Sequence, residues 1–127
     1  MRNLYFKLFF VFVVAANFNF ACINKKNSKT KNDRTEEMKT FEIHVNGIVQ
    51  GVFFRKYTKN SAQENNITGF VRNESDGSVY IEATGTEDDL KNFIEWCNHG
   101  PQNASVDSVV TKEIPVTAFS SFNIKYF

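Results

Sequence analysis

Between Phe41 and Arg55 the hydrophobic period changes abruptly, and that change sets the order strand, turn, helix. Phe41, Ile43 and Val45 alternate with Glu42, His44 and Asn46, the period of two that marks a strand with one buried face. Gly47-Ile48-Val49-Gln50-Gly51-Val52-Phe53-Phe54-Arg55 follows, and Arg55 opens a segment that reads as a helix over 54 to 65. A strand that passes through a glycine turn into a helix can aim successive backbone N–H groups at one point. The helix N-terminus adds about half a positive charge there. The run therefore reads as an anion-binding cradle, with Arg55 closing on a tetrahedral anion as a fork. The bare spacing also occurs in ordinary strand-to-helix turns, so the cradle needs support from the rest of the chain.

The later segments supply an order of elements. In the first helix Tyr57, Ser61 and Ala62 are expected on the inner side, with Asn66 as a left-handed cap. Ile67 to Arg72 reads as a second strand ending at Asn73, and Glu74-Ser75-Asp76-Gly77 as a tight hairpin turn whose glycine takes positive φ. Val79, Ile81 and Ala83 continue as a third strand. Thr86, with Asp89 three residues on, marks a helix start before the inner-face residues Leu90, Phe93, Ile94 and Cys97. Gly100-Pro101 ends that segment, Val106 to Ile114 gives a fourth strand, and Phe122, Ile124 and Tyr126 alternate in a short last one. The order βαββαβ plus a last strand predicts a ferredoxin-like α+β sandwich, two helices on one face of an antiparallel sheet.

The cradle run, Ile67-Thr68-Gly69-Phe70-Val71-Arg72-Asn73, Asp76-Gly77-Ser78-Val79, and Trp96-Cys97-Asn98-His99-Gly100-Pro101 with Ala104 and Val106 together resemble the acylphosphatase family. The resemblance runs in order from Thr40 to Tyr126, and four motifs in sequence are far more specific than any one. It implies that Arg55 and the backbone N–H groups of Gln50, Gly51, Val52, Phe53, Phe54 and Arg55 hold phosphoryl oxygens. It also implies that the Asn73 carboxamide orients a water for in-line attack. If the first two strands both pair antiparallel with the third, they run parallel to each other, and Arg55 and Asn73 reach one cleft. The reaction implied is hydrolysis of the carboxyl-phosphate bond of a small-molecule acyl phosphate, without metal or other cofactor. A carboxylate leaving group is stable at neutral pH, so no general acid is required.

Charge narrows the partners. Residues 1 to 37 hold seven Lys/Arg against three acids, and the remainder eight against eleven, a balance of −3 for the domain. An acidic domain has no general field for nucleic acid, so an anion site must be local. Met1 to Lys7 carries two positive charges, Leu8 to Ala16 is apolar, and Ala21 precedes Cys22, which together follow the pattern of an export signal over 1–22. Cleavage by a signal peptidase and lipid attachment at Cys22 both fit, though Asn19 stands where a lipoprotein signal ordinarily has leucine. Export would place the protein in a bacterial periplasm or at the membrane, attached through Cys22 or transiently through the leader. A start at Met38 would instead leave it cytoplasmic. Residues 23–38 read as a disordered linker, and 39–127 as the domain, expected to be monomeric.

Other readings are weighed on the same residues. Asn73 suits a turn on backbone grounds alone, Arg55 could face solvent, and Phe53, Phe54 and Trp96 are expected in the core. Cys97 on a helix inner face reads as a small hydrophobe. His44 and His99 have no partner at metal spacing. A non-catalytic anion-binding module would use the same loop without needing Asn73. An RNA-binding sheet would need exposed strand aromatics and a basic surface.

Overall fold

The computed structural model describes residues 35–126. The expected export signal with Cys22, and the linker as far as residue 34, lie outside the described residues. Seven elements follow in order: β1 (Met38–Ile48), α1 (Phe54–Glu64), β2 (Thr68–Asn73), β3 (Val79–Thr86), α2 (Glu87–His99), β4 (Ser105–Ile114) and β5 (Phe122–Ile124). The sheet order is β4-β1-β3-β2-β5. The arrangement is the expected ferredoxin-like one, with one correction to the sheet: β5 pairs parallel with β2, while all other pairs are antiparallel, so the sheet is mixed.

The parallel pairing follows from how the chain leaves β4. That strand ends at the same end of the sheet where β1 begins, and residues 115–121 cross the open face there. The Thr117 N–H donates to Thr40 Oγ1 at 2.9 Å and the Thr84 hydroxyl donates to the Thr117 carbonyl at 2.8 Å. β5 then runs beside β2 in the same direction as β1 and β2, so three strands point their carboxyl ends at one edge.

Alternation sorts the two faces. Ile43, Val45, Val71, Val79, Ile81 and Ala83 share one face and are buried, and they meet Phe54 and Ala62 of α1 and Leu90, Phe93 and Cys97 of α2. The capping of α2 is as expected: the Thr86 hydroxyl accepts from the Asp89 N–H, and Glu87, Asp88 and Asp89 occupy the first turn. Asn66 has the expected left-handed backbone, with φ of 56°. Tyr57 does not lie on the inner side; it is 48% exposed. The buried stripe of α1 is Phe54, Thr58, Ser61 and Ala62, and at 3.6 residues per turn Tyr57 sits about 100° away from Thr58.

The open face does carry aromatics, but they are covered. Lys125 Nζ lies 3.7 Å from the Phe70 ring centroid, Phe119 meets Phe70 edge-on at 6.0 Å, and the Arg72 guanidinium sits over Tyr80. Among the described residues of this face a base has no free ring to stack on, which tells against the RNA-binding reading.

Candidate active site

The loop between β1 and α1 is pinned by two core side chains, Val49 and Phe54, each 1% exposed. Between them the backbone turns twice through left-handed conformations, at Gly51 (φ 75°) and Phe53 (φ 59°). A Cβ on Gly51 would meet nothing within 4 Å, so glycine serves there for its dihedral freedom and not for space. The loop delivers the chain into α1 with no side-chain cap and no acid in the first turn. A helix leaves its first N–H groups without intrahelical partners, and here, unlike at α2, no side chain of the helix answers them. The positive end of α1 opens into the cleft.

That cleft, of about 430 Å³, is lined by Val49, Gly51, Phe53, Phe54, Arg55, Lys56, Asn73, Ile124 and Tyr126. Among the described residues two cations and no carboxylate line it, so an acidic domain carries a local positive site. Arg55 is half-buried, and its guanidinium carbon stands 4.9 Å from the centroid of the Tyr126 ring. A cation held over an aromatic face loses freedom to swing into solvent.

Asn73 ends β2 opposite Val79 and shares the helix-side face with Val71. Its Oδ1 is buried and has no hydrogen-bond partner. A buried amide oxygen without a partner is costly, and at the wall of a cationic cleft it is a ready acceptor for a water proton. The turn beyond it is held by Asp76, whose Oδ1 accepts from the Ser78 N–H at 2.9 Å and the Ser78 hydroxyl at 2.6 Å. These bonds hold the Asp76 carboxyl below the usual carboxylate range.

Gln50 ties the two halves of the site together. Its side-chain Nε2 donates to the Glu74 and Ser78 carbonyls, each at 2.8 Å, so the cradle loop is bonded to the hairpin that carries Asn73. Sequence reasoning named Gln50 only as a backbone donor, and it missed Lys56, Ile124 and Tyr126 as cleft residues. No periodicity signals the Gln50 tie, because its partners are main-chain carbonyls 24 and 28 residues away. Tyr126 was legible only as the next step of a strand alternation, but β5 ends at Ile124. Phe53 corrects a further expectation: it is 71% exposed, because the left-handed turn that starts α1 rotates it away from the core. Phe54 is buried as expected, and Trp96 packs between Phe54 and Phe93.

Among the described residues no cluster of three His, Cys, Asp or Glu side chains could hold a metal ion. Cys97 is fully buried and burial pushes its thiol up, which makes it inert packing and not a nucleophile.

Residues 41–124 match the acylphosphatase family model. The chain is similar to an acylphosphatase of Leuconostoc mesenteroides, 44% identical over 89 residues that cover 69% of this chain and 99% of the relative. It is also similar to one from Thermotoga maritima, 41% identical over 71% of this chain and all of the relative. Among solved structures, an acylphosphatase from Coxiella burnetii superposes with a TM-score of 0.69 at 35% identity, covering 74% of this chain and 99% of that one. The acylphosphatase from Bacillus subtilis gives 0.68 at 32% identity, over 71% and 100%.

Proposed function

This chain belongs to the acylphosphatase family and is a catalytic acylphosphatase; from that premise we propose that Arg55 and the Gln50–Arg55 backbone bind the phosphoryl group and that Asn73 orients the attacking water. The catalytic reading displaces the non-catalytic anion-binding module. The observation that carries the residue assignment is the buried, unpartnered Oδ1 of Asn73 in the same cleft as Arg55.

The chemistry asks little of the protein beyond placement and charge. Loop amides, the α1 N-terminus and the Arg55 fork receive the phosphoryl oxygens, where their charge is neutralised as the transition state develops. A water that donates a hydrogen bond to Asn73 Oδ1 attacks phosphorus in line with the carboxyl oxygen. The P–O bond to the acyl group breaks, the electron pair leaves on the carboxylate, and both water protons end on phosphate oxygens. A carboxylate with an ordinary pKa near 4 leaves without a proton donor, so the reaction needs no acid in the cleft.

Benzoyl phosphate hydrolysis in the presence of EDTA, by the parent and by Arg55→Gln and Asn73→Ala, tests these roles. Arg55→Gln is expected to lose turnover and phosphate inhibition together. Asn73→Ala should lose about 10²-fold in kcat, the scale of one positioning hydrogen bond, and keep phosphate inhibition. A large loss of phosphate affinity in Asn73→Ala would overturn the division of labour. The charged start, apolar run and Ala21-Cys22 support export, with either lipid attachment at Cys22 or ordinary cleavage beside it. Mass spectrometry of the membrane-extracted protein checks this, an unmodified Cys22 removing the lipid anchor.

A further inference from the structure

Phe53 is doubly anomalous. Its backbone is left-handed, at φ 59° and ψ 21°, a conformation that strains a bulky L-residue and that glycine adopts freely. The residue is 71% exposed, so the burial that would stabilise a phenylalanine is largely forgone. The ring also stands outside the packed aromatic cluster of Phe54, Phe93, Trp96 and Phe122. Neither the backbone dihedral nor burial favours phenylalanine here over glycine.

What Phe53 does have is a place in the lining of the cleft. Phe53, Ile124 and Tyr126 line it together with the phosphoryl-binding groups, and Tyr126 is 66% exposed. One side of the Tyr126 ring is taken by the Arg55 guanidinium, which anchors the ring beside the charged site. A substrate whose phosphoryl group is held in the cradle must extend its acyl group away from the loop amides, toward solvent, and Phe53 and Tyr126 are the two strongly exposed aromatic residues in the cleft lining. An apolar acyl group laid against them is removed from water, together with ring surface that is otherwise wet.

We infer that Phe53 and Tyr126 form an acyl-group subsite, which selects aryl and other apolar acyl phosphates over small or charged ones. The inference rests on the cradle reading of Arg55 given above. Lys56, also at the cleft, is the one lining cation besides Arg55 among the described residues, could favour an acyl group bearing a carboxylate, and defines the competing outcome.

The experiment measures kcat/KM of the full chain for benzoyl, acetyl and succinyl phosphate, and the phosphate inhibition constant, in the parent, Phe53→Gly, Phe53→Tyr, Tyr126→Ala and Arg55→Gln. The readout is the benzoyl-to-acetyl ratio within each protein, so intrinsic reactivity and any loss common to both substrates cancel. Phe53→Gly is expected to lower that ratio about tenfold, the scale of a single apolar contact in a pocket. Tyr126→Ala should lower it in the same direction, and Phe53→Tyr, which keeps the ring, should hold it near the parent value. An unchanged ratio in Phe53→Gly, or succinyl phosphate preferred to benzoyl phosphate in the parent, overturns the subsite and leaves the cradle standing. Phosphate inhibition surviving in Arg55→Gln overturns the cradle, and the subsite with it.

Discussion

Replacing Gln50 with methionine isolates what the tie between the two halves of the site contributes. Methionine keeps the length of the side chain and removes its donors. Two hydrogen bonds of 2.8 Å are lost, to the carbonyls of Glu74 and Ser78. Each carbonyl retains a partner, since Gly77 N–H donates to Glu74 O at 3.3 Å and Glu74 N–H to Ser78 O at 2.9 Å. Neither oxygen is stranded, so the loss is the net worth of two neutral hydrogen bonds, about 2 kcal/mol in all. For a domain of this size that lowers Tm by roughly 10 °C. The functional effect is separate: with the tie gone, the hairpin end that holds Asn73 is free to drift from the cradle. A misplacement of about 1 Å can cost up to 10²-fold, so kcat is expected to fall at least tenfold. Phosphate inhibition, which depends on the loop and Arg55, should change little. Calorimetry and steady-state kinetics on the same preparation check both. A lowered Tm with unchanged kcat would refute the positioning argument, and a matching loss of phosphate affinity would mean that the loop itself had deformed.

Three further outcomes follow from the geometry. Phe54→Ala removes a ring that is buried against Trp96 and lies 2.8 Å from where a Cβ on Gly100 would be; it should cost about 3–5 kcal/mol, and a urea midpoint within error of the parent would contradict its place in the core. Gly51→Ala meets no neighbour but takes φ of 75°, so it should destabilise by about 1 kcal/mol and weaken phosphate inhibition, whereas unaltered inhibition would show that the cradle tolerates a different turn. Burial, then the hydrogen bond to Glu82, raises the Tyr80 hydroxyl above its usual range. A raised folded-state value means that stability is fully present below the unfolded value near 10 and is lost as pH climbs beyond it; denaturant melts in that window should show a steeper decline in the parent than in Tyr80→Phe, and parallel declines would remove Tyr80 as the cause.

Much was legible along the chain because it depends on near neighbours. Period-two alternation at Phe41, Ile43 and Val45, the Thr86 cap and the left-handed Asn66 are local matters of sterics and hydrogen bonding, and each stands where the sequence predicted within a residue or two. The motifs that resemble the family also singled out Arg55 and Asn73, and both line the cleft. Phe53 and Tyr57 were misjudged because hydrophobicity says that a ring gains by burial, not which way the backbone turns it. The left-handed turn at Phe53 and the narrow stripe of α1 are consequences of docking α1 onto the sheet. The Gln50 tie, the parallel direction of β5 and the arrival of Tyr126 beside Arg55 were decided by tertiary structure alone. Each joins groups far apart in sequence, through backbone carbonyls or a chain crossing that carry no residue-type signature, so only closure of the sheet brings them together.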